Sequence, residues 1–135
     1  MIHRAPLLEG IAPVLKLLTG VESPLVRRDT DYYSIEKILV DAATGEFAEC
    51  VAAARDRFAT KGEQFEDALR REVLKHDIDP LTVLFLDLFS VCVRTKAESQ
   101  QGNDLMREFR YIQRAIQTYT FLFDRQESEQ ASQSA

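Results

Sequence analysis

The last third of the chain constrains the fold most, because residues 79–123 carry more apolar helical surface than an outer layer needs. Between Leu81 and Val93, ten of thirteen residues are apolar. A helix that is apolar on nearly all sides must be surrounded by other helices of its own chain or by a partner. Asp79-Pro80 predicts where this helix begins, since Asp caps free amides and Pro fits the first helical position.

The segment that follows carries one continuous apolar stripe. Its six members recur at alternating steps of four and three, which is the spacing of a bundle or coiled-coil face. They are Leu105, Phe109, Ile112, Ile116, Tyr119 and Phe123. We interpret them as the candidate interface of a self-associating protein, with Phe109 and Tyr119 as aromatic anchors. The alternative, that they are core of the same chain, stays open because periodicity cannot separate the two.

Helical periodicity also predicts four earlier helices, at about 6–19, 31–43, from 46 onward, and a fourth that ends before residue 79. Pro13 predicts a kink in the first helix or its division into two short ones. Thr60 and Glu63 have the spacing of a capping box, which predicts that the fourth helix begins at Thr60. A turn is expected at 100–103, before the last helix.

These segments and the lack of alternating strand patterns predict an all-α fold, a single-domain bundle of about five or six helices over residues 1–126. Residues 127–135 contain only Gln, Ser, Glu and Ala, so we expect a disordered C-terminal tail there. The region of the predicted fourth helix around Gly62, Phe65 and Leu69 resembles the second helix of a tetratricopeptide repeat, a family that binds peptides in a groove between helix pairs. Because the other half of that motif is absent, no repeat fold is expected.

Charge is distributed unevenly along the chain, whose net charge is −5. Residues 29–80 hold thirteen acidic and seven basic residues, so the middle disfavours wrapping by nucleic acid. A local basic patch remains possible on the last helix, where arginines recur at steps of three and four. The candidate anion- or partner-binding residues are Arg107, Arg110 and Arg114, with Arg27 and Arg28 joining them if that loop folds close by. The alternative is a solvated face, partly neutralised by Asp104 and Glu108.

No pattern of catalytic, phosphate-binding or metal-ligating residues emerges, so we expect no enzyme activity, no cofactor and no metal. Cys50 and Cys92 fall on apolar helix faces, where free thiols behave as small hydrophobic groups. Asp87, the only charge between 81 and 93, is expected to be exposed or paired with an arginine from another helix. A small enzymatic or ligand-binding bundle, using Asp87, His76 or Tyr32-Tyr33, stays an alternative.

No run of eighteen apolar residues suggests a membrane span, and the first eighteen residues lack an unbroken apolar stretch. The predicted location is therefore cytoplasmic. The leading hypothesis is a non-enzymatic protein–protein interaction module, an adaptor, small chaperone or regulator that forms a homodimer through apolar faces in 81–123. A nucleic-acid-binding regulator that uses the arginines of the last helix is the second hypothesis.

Overall fold

A computed structural model describes residues 6–21, 23, 25, 32–76, 78–94 and 99–134, without the side chains of 32–34, 94, 99–101 and 126–134. Six helices cover most of them: α1 Pro6–Leu18, α2 Tyr32–Ala42, α3 Gly45–Lys61, α4 Phe65–Val73, α5 Pro80–Arg94 and α6 Ser99–Ser134. No strand occurs within these ranges, which confirms the predicted all-α bundle. The backbone of α6 continues to Ser134, and the division into a bundle and a tail stays a prediction.

Phe85 lies at the centre of the core and joins three helices. Its ring centroid is 5.9 Å from that of Phe47 on α3 and 5.8 Å from that of Phe109 on α6, both in edge-to-face arrangements. On α5 itself, Phe89 stacks at 6.3 Å. Because such contacts add to the free energy gained by burying each ring, this cluster links α5 to α3 and α6 through their side chains.

Helix α1 packs on α3 and α6, and Gly10 permits the close approach to α3. The amide of Thr44 donates to the carbonyl of Gly10 at 3.2 Å. A Cβ atom on Gly10 would lie only 2.1 Å from the carbonyl oxygen of Thr44 and 2.7 Å from the Cβ of Phe47. The helix runs through Pro13 without a break, which excludes the alternative of two short helices, and the kink stays a prediction.

One predicted helix start agrees with the structure and two predictions about helix ends do not. Asp79 caps α5, because its carboxylate accepts hydrogen bonds from the amide and the hydroxyl of Thr82, each at 2.9 Å. Thr60 lies inside α3, and its hydroxyl donates to the carbonyl of Asp56 at 2.7 Å, so the predicted capping box is wrong. The predicted turn at 100–103 is also wrong, since α6 already includes these residues.

An ion-pair network joins α3 to α4 where the capping box was expected. Arg57 lies 2.6 Å from Glu72 and 3.5 Å from Glu63, while Arg71 reaches Glu63 at 3.0 Å and Lys75 reaches Glu72 at 3.1 Å. Desolvation opposes ionisation of Glu72, but hydrogen bonds from Lys75 and Arg57 outweigh it and hold the pKa of Glu72 below its usual range. The arginines of this hairpin therefore serve the fold.

Candidate interaction surface

The apolar stripe predicted on α6 faces the interior over most of its length. We call it the inner seam: Leu105, Phe109, Ile112, Ile116, Tyr119 and Phe123. The first four are buried, with at most 6 % of their surface exposed, where α6 packs on α1 and α5. Their burial places these four residues in the core of the chain, which is the alternative that the sequence left open, and self-association through the stripe stays a prediction. Tyr119 and Phe123 are partly buried, and their rings stack at 6.4 Å.

Polar contacts at the end of α1 help to fix the orientation of α6. The hydroxyl of Thr19 lies 2.7 Å from the carbonyl oxygen of Leu15 and 3.0 Å from Oε1 of Gln113. Just beyond it, Ser23 and Leu25 are buried, and the Ser23 hydroxyl donates to the carbonyl of Leu18. With α1 attached to one side of α6, the opposite side of α6 faces solvent.

The three arginines predicted on α6 lie on this outward side. Arg107, Arg110 and Arg114 are all exposed, and no carboxylate in the described part of the chain pairs with them. The neutralisation expected from Asp104 and Glu108 is therefore not seen as ion pairs. Arg27 and Arg28 lie outside the described residues, so their part in this patch stays a prediction.

The arginines belong to a second stripe with the same spacing as the inner seam. We call it the outer seam: Arg107, Tyr111, Arg114, Thr118, Phe121 and Arg125. Each member follows a member of the inner seam by two residues, which places it about 200° around the helix. All six are exposed, Tyr111 by 61 % and Phe121 by 63 %. The outer seam spans about 27 Å of helix at 1.5 Å per residue.

Sequence reasoning identified two of these arginines but missed Tyr111 and Phe121. The signal was present, because the steps of four and three that define the inner seam also define the outer one. Exposed phenylalanine and tyrosine become informative only once the packing shows which side of α6 is covered. Leu122, beside Phe121, is also 43 % exposed and widens the apolar part of this surface.

The other candidate residues have structural roles or lie apart from one another. Asp87 pairs with Arg70 of α4 at 2.8 Å, which confirms the expected partner from another helix. Because Asp87 is 58 % exposed, this is an ordinary surface ion pair. His76 follows α4, with its Nδ1 3.5 Å from Oε2 of Glu46. The side chains of Tyr32 and Tyr33 lie outside the described residues.

Both cysteines are buried free thiols. Burial raises the pKa of Cys92 to about 12. Burial, reinforced by the negative charges of Glu72, Glu49 and Glu46, also raises the pKa of Cys50. Neither thiol is therefore ionised at neutral pH, and a protonated thiol is a poor nucleophile.

A groove of about 420 Å³ runs between α1 and α6. It is lined by Glu9, Ala12, Pro13, Lys16, Gln113, Ile116 and Gln117. Its polar side chains are one carboxylate, one ammonium group and two amides, and this lining holds no Ser, Thr, Cys or His that could act as a nucleophile or a neutral-pH base. The groove therefore adds little to the enzymatic alternative.

Within the described ranges, no three His, Cys, Asp or Glu side chains are grouped so that they could hold a metal ion. No helix of these ranges is long and apolar enough to cross a membrane. No protein-family model, curated protein or solved structure matches the chain. The outer seam of α6 carries exposed arginines and exposed aromatic rings on one helix face, and it is the candidate interaction surface.

Proposed function

We propose that this chain is a non-catalytic helical interaction module that binds a partner protein along the outer seam of α6. The observation that supports it is the combination of exposed arginines and exposed aromatic rings on one side of a helix whose other side is anchored in the core. Aromatic residues and arginine are the types enriched where protein interfaces are buried. An adaptor, a chaperone or a regulator would each use such a surface.

The support for binding rather than a merely solvated face comes from the composition of the seam. A solvated helix face usually mixes both signs of charge, so that neighbouring side chains neutralise one another. On α6, Arg107, Arg110 and Arg114 follow at steps of three and four, and although Asp104 and Glu108 are exposed nearby, neither forms an ion pair with them. The rings of Tyr111 and Phe121 lie in the same surface and are more than half exposed. Together they leave both charge and apolar area available to a partner.

The partner that fits this surface is a different protein. If two outer seams paired in antiparallel fashion about residue 116, Arg107 of one copy would face Arg125 of the other. In a parallel pair each arginine would face its own counterpart. Both arrangements place like charges opposite each other, which disfavours a symmetric dimer through this surface. The homodimer expected from the sequence relied on the inner seam, most of which lies in the core.

Site-specific photo-crosslinking in living cells tests the proposal. A photoreactive amino acid replaces Tyr111 or Phe121 on the outer seam, and in a matched control it replaces Phe58, which is 51 % exposed on α3. We expect adducts with a distinct protein from the two α6 positions and not from position 58. Arg107→Glu with Arg114→Glu should abolish those adducts while the far-ultraviolet circular dichroism stays unchanged. Equal adducts from all three positions, or none from α6, would overturn the proposal.

A further inference from the structure

We infer that the segment that docks on the outer seam is an acidic amphipathic helix of the partner protein. This inference rests on the proposed function and adds the chemistry of the partner. Three properties of the seam support it: its length, the alternation of its residue types, and its charge relative to the rest of the molecule.

The spacing of the outer seam indicates a helix as the occupant. Alternating steps of three and four residues generate a nearly straight stripe along a helix, which a second helix can follow at a small crossing angle. From Arg107 to Arg125 the stripe is about 27 Å long, so it accommodates about 18 residues of a partner helix. An extended peptide or a loop would meet the same stripe at only part of its length.

The residue types of the seam specify what the partner helix carries. Arginines occupy the first, third and last positions, Arg107, Arg114 and Arg125, and Arg110 flanks them. A planar guanidinium pairs with a carboxylate through two parallel hydrogen bonds, so aspartate or glutamate is expected opposite Arg107, Arg110 and Arg114. Tyr111 and Phe121, at the second and fifth positions, call for aliphatic side chains opposite them. The partner helix therefore alternates acidic and apolar residues along one face.

The charge of the molecule favours discrete carboxylates over a nucleic acid. The chain carries −5 overall, and Asp104 and Glu108 are exposed beside the arginines on α6 itself. A polyphosphate backbone presents negative charge continuously and meets these carboxylates as well as the arginines. A helix presents charge only at chosen positions, so it can pair with the arginines and avoid the acidic flank.

Selection from a peptide library tests the inference. Helical peptides of about 20 residues, with the positions that face the seam randomised, are displayed and selected on the full chain. Peptides that bind Arg107→Gln/Arg110→Gln/Arg114→Gln are removed by counter-selection. We expect enrichment of Asp and Glu at the positions opposite the arginines and of Leu, Ile or Met opposite Tyr111 and Phe121. A resynthesised winner should bind about tenfold more weakly to the triple variant and to Phe121→Ser, but equally well to the control Phe58→Ser.

Each other outcome overturns the inference. Two outcomes would show that the arginines do not select the partner. One is enrichment of peptides without an acidic bias, and the other is that no enriched peptide survives the counter-selection on the triple variant. Tighter binding of a 5′-labelled single- or double-stranded oligonucleotide, weakening steeply with added salt, would assign the seam to nucleic acid. Sedimentation as a dimer that the triple variant abolishes would assign it to a second copy. If the acidic bias fails while crosslinks from Tyr111 and Phe121 persist, the docking surface stands and only the partner's chemistry is wrong.

Discussion

The two long faces of α6 differ in what surrounds them and not in how their residues are spaced. The inner seam and the outer seam both advance by steps of four and three, but α1 and α5 cover only the inner one. The inner seam is aliphatic and aromatic throughout, whereas the outer seam alternates arginines with aromatic rings. The comparison teaches that periodicity shows which residues share a face, while the neighbouring helices decide whether that face is core or surface.

The largest expected difference in the free energy of unfolding is between two variants that carry the same new charge, one on the inner seam and one on the outer seam. Phe109→Asp puts a carboxylate where the phenylalanine is fully buried, between Phe85 and the surrounding helices. We expect it to lower the free energy of unfolding by about 4 kcal/mol or more, because both a ring and its cavity contacts are lost and a charge is buried. Phe121→Asp, the matched change on the outer seam, should cost less than about 0.5 kcal/mol.

Urea denaturation followed by circular dichroism measures both values, with sedimentation equilibrium on the same samples. Two variants of equal stability would contradict the assignment of the two faces. A wild-type dimer that Phe109→Asp converts into a folded monomer would return the inner seam to an interface. That outcome would require α1 or α5 to leave α6 in the assembled state.

A smaller effect is expected where α1 rests on the remainder of the bundle. Gly10→Ala introduces a Cβ that would lie 2.1 Å from the carbonyl oxygen of Thr44, so α1 must shift away from α3. Since α1 is also the cover of the inner seam, we expect a loss of about 2 kcal/mol and greater exposure of α6. In the control Gly20→Ala, the new Cβ would lie 3.2 Å from the carbonyl oxygen of Lys16, and the loss should be smaller.

Thermal unfolding and amide hydrogen exchange measure the effect of Gly10→Ala. We expect the amides of residues 105–116 to exchange faster in this variant than in Gly20→Ala. If Gly10→Ala is destabilised but the amide exchange rates along α6 are unchanged, the packing of α1 on α3 does not determine how well α1 shields the inner seam.

The helices and several of their contacts were predictable because their signals are local. Asp79-Pro80 marks the start of α5, and the isolated Asp87 pairs with an arginine of another helix, Arg70. The capping box failed because a nearby signal is stronger: Gly62 adopts the left-handed conformation, with φ 69°, and ends α3 after Thr60. Glu63 then pairs with Arg57 and Arg71 in place of capping a helix.

The candidate surface was predictable only in part. The arginines of α6 are visible in the sequence because their spacing is helical and their charge is unusual in an acidic chain. Tyr111 and Phe121 are indistinguishable from core residues until the packing of α1 and α5 is known. The apolar residues of the inner seam were assigned to an interface for the same reason. Whether the apolar stripe is covered by helices of its own chain or by a second copy is a property of tertiary packing, which local patterns do not encode.

The arginines of the α3–α4 hairpin provide a contrast with those of the outer seam, since they are paired. Glu72 has a lowered pKa, so its contribution to stability is present above its unfolded pKa, near the ordinary value of 4.5. That contribution is lost as the pH falls through the folded pKa. Glu72→Gln should therefore cost about 1 kcal/mol at pH 7 and less at pH 3, which lies below the unfolded pKa. Urea denaturation across this range checks it, with Glu49→Gln on the exposed face of α3 as the control; equal losses at both pH values would contradict the pairing.

The smallest expected effect on stability belongs to Arg107, Arg110 and Arg114, and its sign separates a binding role from a structural one. Arg107 and Arg110 are three residues apart and Arg110 and Arg114 are four apart, so like charges lie next to each other on one helix face. Such pairs destabilise a helix by about 0.2–0.5 kcal/mol each. Replacing all three with Gln, a residue of similar helix propensity, should therefore raise the free energy of unfolding by a few tenths of a kcal/mol. Salt screens the repulsion, so the gain should shrink between low and high ionic strength in urea denaturation. A loss above about 1 kcal/mol would instead mean that the arginines hold the fold together, as Arg57 does, and are not available to a partner.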